Sequence, residues 1–238
     1  MKAIILASGR GIRLGPITQD MPKTLIKILD RPIIERILDS LLEFNIKTVI
    51  ITTGFHDDKL KAFIMSKEKY RGLKIEYVHN SKYKETNYIY TLWLLRKKVI
   101  DDDIILIHGD VVYDFSLLKK LIKKNESHVT VSKKDAIEPH ELKAQIKNDK
   151  VVYIGLRPTD ENTMLCTSIF KLLKKDIKIW MDEIDVFVNQ GIVGCYAEDA
   201  FNKVSDKMTL LPLVFENEVG MDIDREEDIK TAERLLKS

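Results

Sequence analysis

The chain opens on a short apolar run, Lys2 to Ala7, of the kind that forms a strand buried on both faces. The stretch from Ser8 to Lys23 is polar, carries glycines and is too irregular to form a regular element. After Pro32 the apolar positions Ile33, Ile34, Ile37, Leu38, Leu41 and Leu42 keep helical spacing, with the proline placed for a first turn. A β-branched run from Lys47 to Thr53 predicts a second strand. A charged helix carrying Leu60, Phe63 and Ile64 then leads to a third strand, Leu73 to Val78. Asn87 is a suitable N-cap for a helix with Leu92, Leu95 and Val99 on its apolar face. Ile104 to Ile107 predicts another buried strand, and Leu117, Leu118, Leu121 and Ile122 mark the helix beyond it, with Asp114 as its cap.

From Val129 the elements shorten. Asn148-Asp149 reads as a turn between strands at Leu142–Ile146 and Val151–Ile154, and Met164 to Phe170 as a further strand. The rest is mostly helical except for a strand between Met208 and Phe215, and Asp224 begins a final helix. Strands alternating with helices imply right-handed βαβ units and a largely parallel sheet, with the later strands making it mixed. There is no internal repeat and no Pro/Gly/Ser-rich linker, so residues 1–238 are expected to form one domain.

Charge changes this picture little. Against 39 Lys+Arg stand 37 Asp+Glu, a formal net charge of +2, which lacks the basic excess of a nucleic-acid binder. Cys166 and Cys195 are the two cysteines, too few for a disulfide scaffold or a four-cysteine zinc site. The five histidines (His56, His79, His108, His128 and His140) have no metal-ligand spacing. Lys119, Lys120, Lys123 and Lys124 form the solvated face of their helix. No apolar run approaches the length of a membrane span, and Lys2 is followed by too short an apolar stretch for a signal peptide. A cytoplasmic protein is expected.

The informative chemistry follows the first strand. Gly9-x-Gly11-x-Arg13 lies at a strand's carboxyl end, where loop N–H groups can reach phosphate and an arginine offers it a forked cation. Alone, such a run is equally a flexible loop with an exposed arginine. It lacks the third glycine of a dinucleotide fingerprint and the Gly-Lys-Ser/Thr of a P-loop. Pro22-Lys23 follows ten residues after Arg13 and could turn a second cation toward the same phosphates. Downstream stand His108-Gly-Asp110 at a strand end, and Asp222-Ile-Asp224, whose carboxylates share a side in extended chain. On its own, Asp224 with Glu227 is also a helix-capping arrangement, and Asp110 a turn residue.

The run Leu6-Ala-Ser-Gly9-Arg-Gly11-Ile-Arg13-Leu, followed by Pro22-Lys23, resembles the signature of the nucleotidyltransferases that make NDP-sugars and CDP-alcohols. Tyr83-x-x-Thr86-Asn87-x-x-Tyr90-Thr-Leu92 is similar to a segment of bacterial choline-phosphate cytidylyltransferases. His108-Gly-Asp110-Val-Val-Tyr113 and Met221-Asp-Ile-Asp224-x-x-x-Asp228 look like segments of inositol-1-phosphate cytidylyltransferases. These blocks occur in family order along the chain. The resemblance implies an α/β, Rossmann-like (GT-A-like) three-layer sandwich with a mostly parallel mixed sheet. It further implies a nucleotide-binding half over about residues 1–125 and an acceptor-binding portion over about 126–215.

The same resemblance implies the reaction: a phosphorylated acceptor attacks the α-phosphorus of a nucleoside triphosphate, and pyrophosphate leaves. Arg13 and Lys23 would be catalytic cations, with Lys143 approaching the acceptor phosphate. Leu6, Ala7, Ser8, Gly9, Gly11, Thr86, Asn87 and Asp110 would bind the nucleotide. Mg²⁺ is the implied cofactor, held by Asp110 and Asp224 with Asp222 nearby; oxygen ligands suit it. CTP with choline phosphate is the first-ranked pair, and another NTP with a sugar-1-phosphate or inositol-1-phosphate the alternative. A GT-A glycosyltransferase using Asp222-Ile-Asp224, and a silent nucleotide sensor, are the readings from other classes. A choline head would want aromatic walls, for which Tyr153, Phe170, Trp180, Phe187 and Tyr196 are available. A sugar would want polar groups such as Glu138, Asn162, Asp182 and Asp185. A homodimer is the default assembly.

Overall fold

The structure is a computed structural model and describes residues 1–133, 137–157 and 162–237. In chain order, β1 (Lys2–Leu6) is followed by short 3₁₀ turns at Ile12–Thr18 and Lys23–Leu25. A small hairpin of β2 (Lys27–Ile28) and β3 (Arg31–Pro32) leads into α1 (Ile33–Glu43). Then come β4 (Thr48–Thr53), α2 (Asp57–Met65), β5 (Lys74–His79), α3 (Tyr88–Val99), β6 (Ile104–His108), β7 (Val111–Tyr113) and α4 (Phe115–Ile122). The second half comprises β8 (His128–Ser132), β9 (Lys143–Lys147), β10 (Lys150–Gly155), β11 (Thr163–Leu172), α5 (Lys174–Asn189), α6 (Ala197–Val204), β12 (Leu211–Phe215), β13 (Gly220–Asp222) and α7 (Glu226–Leu235).

β1 lies between β6 and β4, and β5 extends this parallel block beyond β4. β11 joins it antiparallel to β6 and connects it to β8, β9 and β10, while β12 runs parallel to β8. The parallel strands alternate between two cores, as the two-residue period of a strand requires. Ala3 and Ile5 face a core shared with α1, α2, α4 and α7; Ile4 faces one shared with α3, α5 and α6. The three-layer α/β expectation therefore holds.

The Asn148-Asp149 turn is present, with both residues at positive φ (48° and 61°), the conformation that lets two residues join antiparallel strands. Leu29 and Asp30 repeat that geometry (φ 49° and 61°) between β2 and β3, where the sequence shows no asparagine or glycine signal. Three end positions differ from expectation. Pro32 ends β3 at the N-cap of α1 instead of entering its first turn. Asp114 sits at the N-cap of α4, but its carboxylate accepts the Val219 N–H at 2.7 Å and so ties the C-terminal region to α4. The last helix starts at Glu226, and the carboxylate that accepts the N–H groups before it belongs to Asp228, leaving Asp224 free for another role. Among the described residues no helix is long and apolar enough to cross a membrane.

Candidate active site

The parallel strands deliver their carboxyl ends to one edge of the sheet, where ligands collect in open α/β folds. Leu6 pairs with His108, and the Gly109 N–H donates to the Leu6 carbonyl at 2.8 Å. A Cβ on residue 109 would lie 2.7 Å from that oxygen, so glycine is what allows the two strand ends to close together. Asp110 follows immediately. The short sheet of β7 and β13 pairs Asp222 with Val111, and the Ile223 N–H donates to the Asp110 carbonyl at 3.0 Å. This pairing carries Asp222 and Asp224 to the end of β6 from more than 100 residues downstream.

The glycine loop leaves β1 beside them. Gly11 is left-handed (φ 62°), and its carbonyl accepts from Leu14 N–H and Thr18 Oγ1. A Cβ there would stand 3.2 Å from Lys23 Cβ, so the loop closes on the turn that holds Lys23. Lys23 Nζ donates to Asp110 Oδ2 at 2.5 Å and to Asp224 Oδ1 at 2.7 Å. Arg13 Nη1 lies 3.1 Å from Asp224 Oδ2 with half its side chain exposed. Arg13, Lys23, Asp110 and Asp224 thus form one charged constellation beside Gly11, at the rim of a cavity of about 490 Å³, a size suited to a nucleotide-sized ligand.

The charges of the site are coupled. Burial opposes ionisation of both Lys23 and Asp110, but their mutual attraction wins: Lys23 is raised and Asp110 lowered from their ordinary values. Asp222 is pushed well above the carboxylate range by burial and by Asp110. Lys23 and Arg13 together balance the Asp110–Asp224 pair, and Asp222 is held toward its neutral form. Two hard carboxylates gripping one cation, with phosphate and water to complete a shell, fit Mg²⁺. Among the described residues no group of three or more ligating side chains converges as a ready-made metal cage, and Asp222 lines the cavity beside the Asp110–Asp224 pair.

Around this centre the cavity has two walls. One is built from Ala7, Ser8, Gly9, Thr86 and Asn87, together with Asn80 and Thr91. Asn87 does cap α3, accepting the Tyr88 N–H at 2.8 Å, and also lines the cavity. The other wall is aromatic: Tyr88 packs edge-on to His108 (4.9 Å between centroids) and lies 5.8 Å from Tyr196. His108 Nε2 and Tyr88 Oη are buried without a partner among the described residues. Burial, joined by Lys23, lowers the His108 pKa and keeps the ring neutral. Ser168 reaches the cavity from a bulge in β11, at φ 47°, an irregularity of the kind found beside active sites.

Several expected residues lie elsewhere. Lys143 does not line the cavity: its ammonium is buried and donates to the carbonyls of Glu138, Glu141 and Leu156 at 2.9, 2.9 and 3.1 Å. Burial lowers its pKa against the pull of Glu141 and Glu138. Phe170 and Trp180 are core residues with no exposure. Phe187 packs on the same core, and neither it nor Tyr153 lines the cavity, which leaves Tyr196 from that group. Asp182 pairs with Arg96 and Asp185 accepts from Trp93 Nε1, so both serve the α3–α5 contact. Glu138 and Asn162 are also absent from the cavity. Asn80, Tyr88 and Thr91 were missed. Thr91 stands four residues after Asn87 on one helix face, and Asn80 follows the end of β5, so helical period and the strand-end rule are the signals that point to them.

Comparison with known proteins identifies the family and the fold. The nucleotidyl transferase family model matches residues 2–141. A bifunctional GlmU protein of Methanococcus maripaludis is 30% identical over 175 residues, 72% of this chain and 40% of its own length. A choline-phosphate cytidylyltransferase of Streptococcus pneumoniae is 38% identical over 105 residues, covering 44% of this chain and 43% of that protein. A CTP:phosphoglutamine cytidylyltransferase of Campylobacter jejuni is 34% identical over 140 residues, covering 56% and 53%. The chain thus spans about two-fifths to a half of the length of these relatives. Among solved structures, the CTP:phosphocholine cytidylyltransferase LicC of Streptococcus pneumoniae superposes with a TM-score of 0.82 at 23% identity over 99% of this chain and 98% of that one. The inositol-1-phosphate CTP transferase of T. maritima gives 0.78 at 24% identity over 99% and 95%.

Proposed function

This chain belongs to the nucleotidyl transferase family, and from that premise we propose that it is a Mg²⁺-dependent cytidylyltransferase joining CTP to a small phosphorylated alcohol, choline phosphate ranked first. The observation that carries the reading is the Lys23 ammonium gripped by Asp110 and Asp224 beside the glycine loop. An acceptor phosphate is already an anion near neutral pH and needs no general base. Its oxygen forms a bond to the α-phosphorus while the bond to the β-phosphate oxygen breaks and pyrophosphate leaves. The barrier is electrostatic, so positioned cations supply the catalysis.

Lys23 and Arg13 are the side-chain cations for the phosphates, and the loop at Gly9 and Gly11 lets backbone N–H groups approach them. Asp110 and Asp224 are the residues that would hold Mg²⁺, which when bound supplies positive charge to phosphate oxygens. Leu6, Ala7, Ser8, Thr86 and Asn87 are assigned to the nucleotide. Lys143 has no part in the chemistry in this reading, because three carbonyls already occupy its ammonium. Choline phosphate is supported by the Tyr88–His108–Tyr196 wall, whose ring faces suit a quaternary ammonium.

The decisive experiment follows pyrophosphate release across the four NTPs and a panel of phosphorylated alcohols, amides and sugars. Turnover highest with CTP and choline phosphate supports the full proposal. CTP with another acceptor replaces the alcohol, and silence with every pair overturns the enzyme reading.

A further inference from the structure

The polar groups behind the Ser8 wall form a hydrogen-bonded chain with a direction. Asn80 is almost wholly buried, and its Oδ1 accepts the Lys82 backbone N–H at 2.9 Å. A backbone N–H can only donate, so this contact fixes the amide and turns Nδ2 toward two hydroxyls. Nδ2 donates to Thr91 Oγ1 at 3.0 Å and to Thr86 Oγ1 at 3.3 Å. Thr86 spends its own hydrogen on the Lys82 carbonyl at 2.9 Å. Thr91, an acceptor from Asn80 and 1% exposed, has one acceptor in reach for its hydrogen among the described residues: Ser8 Oγ, at 3.2 Å. A buried hydroxyl hydrogen left without an acceptor is costly, so Thr91 donates and Ser8 receives. The Ser8 hydrogen is then free, and Ser8 lines the cavity.

We propose that Ser8 is a specificity-determining donor for the nucleotide base, its polarity set by Asn80 acting through Thr91. A donor at this position favours a pyrimidine edge that presents a lone pair. Cytosine does so at its ring N3, whereas uracil and thymine carry a hydrogen there. Ser8 reads the base; Asn80 and Thr91 are positioning residues. The inference rests on the CTP reading above and adds to it a physical reason for rejecting UTP.

The test compares calorimetric affinities for CTP and UTP, which need no acceptor, in wild type, S8A, T91V and N80D. Wild type is expected to favour CTP. S8A should lower the CTP-to-UTP ratio about tenfold, the usual effect of one lost hydrogen bond that leaves a partner unsatisfied. T91V should lower it less, because Ser8 keeps its hydroxyl but loses its fixed direction. N80D replaces a donor by an acceptor, draws the Thr91 hydrogen back and turns a Ser8 lone pair into the cavity, so it should shift preference toward UTP. S8A removes one oxygen from a loop and carries the decision if the buried aspartate prevents folding. Wild-type preference for CTP with an unchanged ratio in S8A overturns the relay and leaves the CTP reading intact. Wild-type preference for UTP overturns the CTP reading and the polarity together, and the wild type alone tells the two failures apart.

Discussion

Lys23→Met tests the charge balance on which the site depends. In the native constellation two cations, Lys23 and Arg13, face two carboxylates, Asp110 and Asp224. Methionine keeps most of the side-chain volume but leaves Arg13 alone against both. Removing one partner of a fully buried ion pair costs about 3–5 kcal/mol. The carboxylates here retain 26% and 17% side-chain exposure, so water screens part of the loss and about 2 kcal/mol is the reasonable expectation. For a chain of this size that lowers the melting temperature by roughly 4–8 °C. Because Lys23 holds the Asp110 pKa below its ordinary value, this stability is present at neutral pH and disappears as pH falls through the depressed value in strong acid. Differential scanning calorimetry at pH 7 and pH 3, with and without Mg²⁺, measures all of this. Added Mg²⁺ should recover more of the melting temperature in K23M than it adds to wild type, since the variant presents an uncompensated carboxylate pair. A K23M protein that melts like wild type at pH 7 and ignores Mg²⁺ would refute the argument.

Gly11→Ala forces a side chain into left-handed backbone and onto Lys23 and should cost about 1–2 kcal/mol; its fractional loss of turnover should exceed its loss of folded protein at assay temperature. Lys143→Met should lower stability by roughly 2–4 kcal/mol, because three carbonyls lose their buried donor, while KM for the acceptor stays within about twofold; a large KM change with unaltered melting would restore Lys143 to the acceptor site. Glu198 has both carboxylate oxygens buried without a partner among the described residues, and burial pushes its pKa up to about 8. Its folded value lies above its unfolded one, so wild type loses stability as pH rises from about 5 to 8; E198Q should remove that slope, and parallel melting curves for the two proteins from pH 5 to 9 would contradict the assignment.

The layers of the fold were legible because β1, β4 and β6 are apolar runs buried on both faces and α1 carries an unbroken apolar stripe. The glycine loop, Lys23 and Asp110 were legible because they are local to strand ends. What stayed hidden depends on distant pairing. Asp224 looks like a helix cap in sequence, and only the β7–β13 ladder, three residues on each side, turns it toward Lys23. Lys143 sits where a second lysine was expected, but the fold of its neighbours bends three carbonyls onto it, and no residue pattern records where a carbonyl points. The aromatic wall was legible only in part, through Tyr196, for a related reason. Tyr88, His108 and Tyr196 come from three separate segments and meet only once α3 and α6 pack around the end of β6.

The contact between Lys23 and Asp224 spans 201 residues of chain for a separation of 2.7 Å. Synthesis at about 5–20 residues per second places roughly 10–40 s between their appearances on the ribosome. Once Asp110 has been made, 87 residues after Lys23, it is the one of the two carboxylate partners of Lys23 yet present. The second carboxylate arrives when β13 settles on β7, after every strand of the main sheet has been made. On the proposed reading, a divalent cation meets both carboxylates only once β13 pairs with β7, and a chain without that pairing does not commit a nucleotide to reaction.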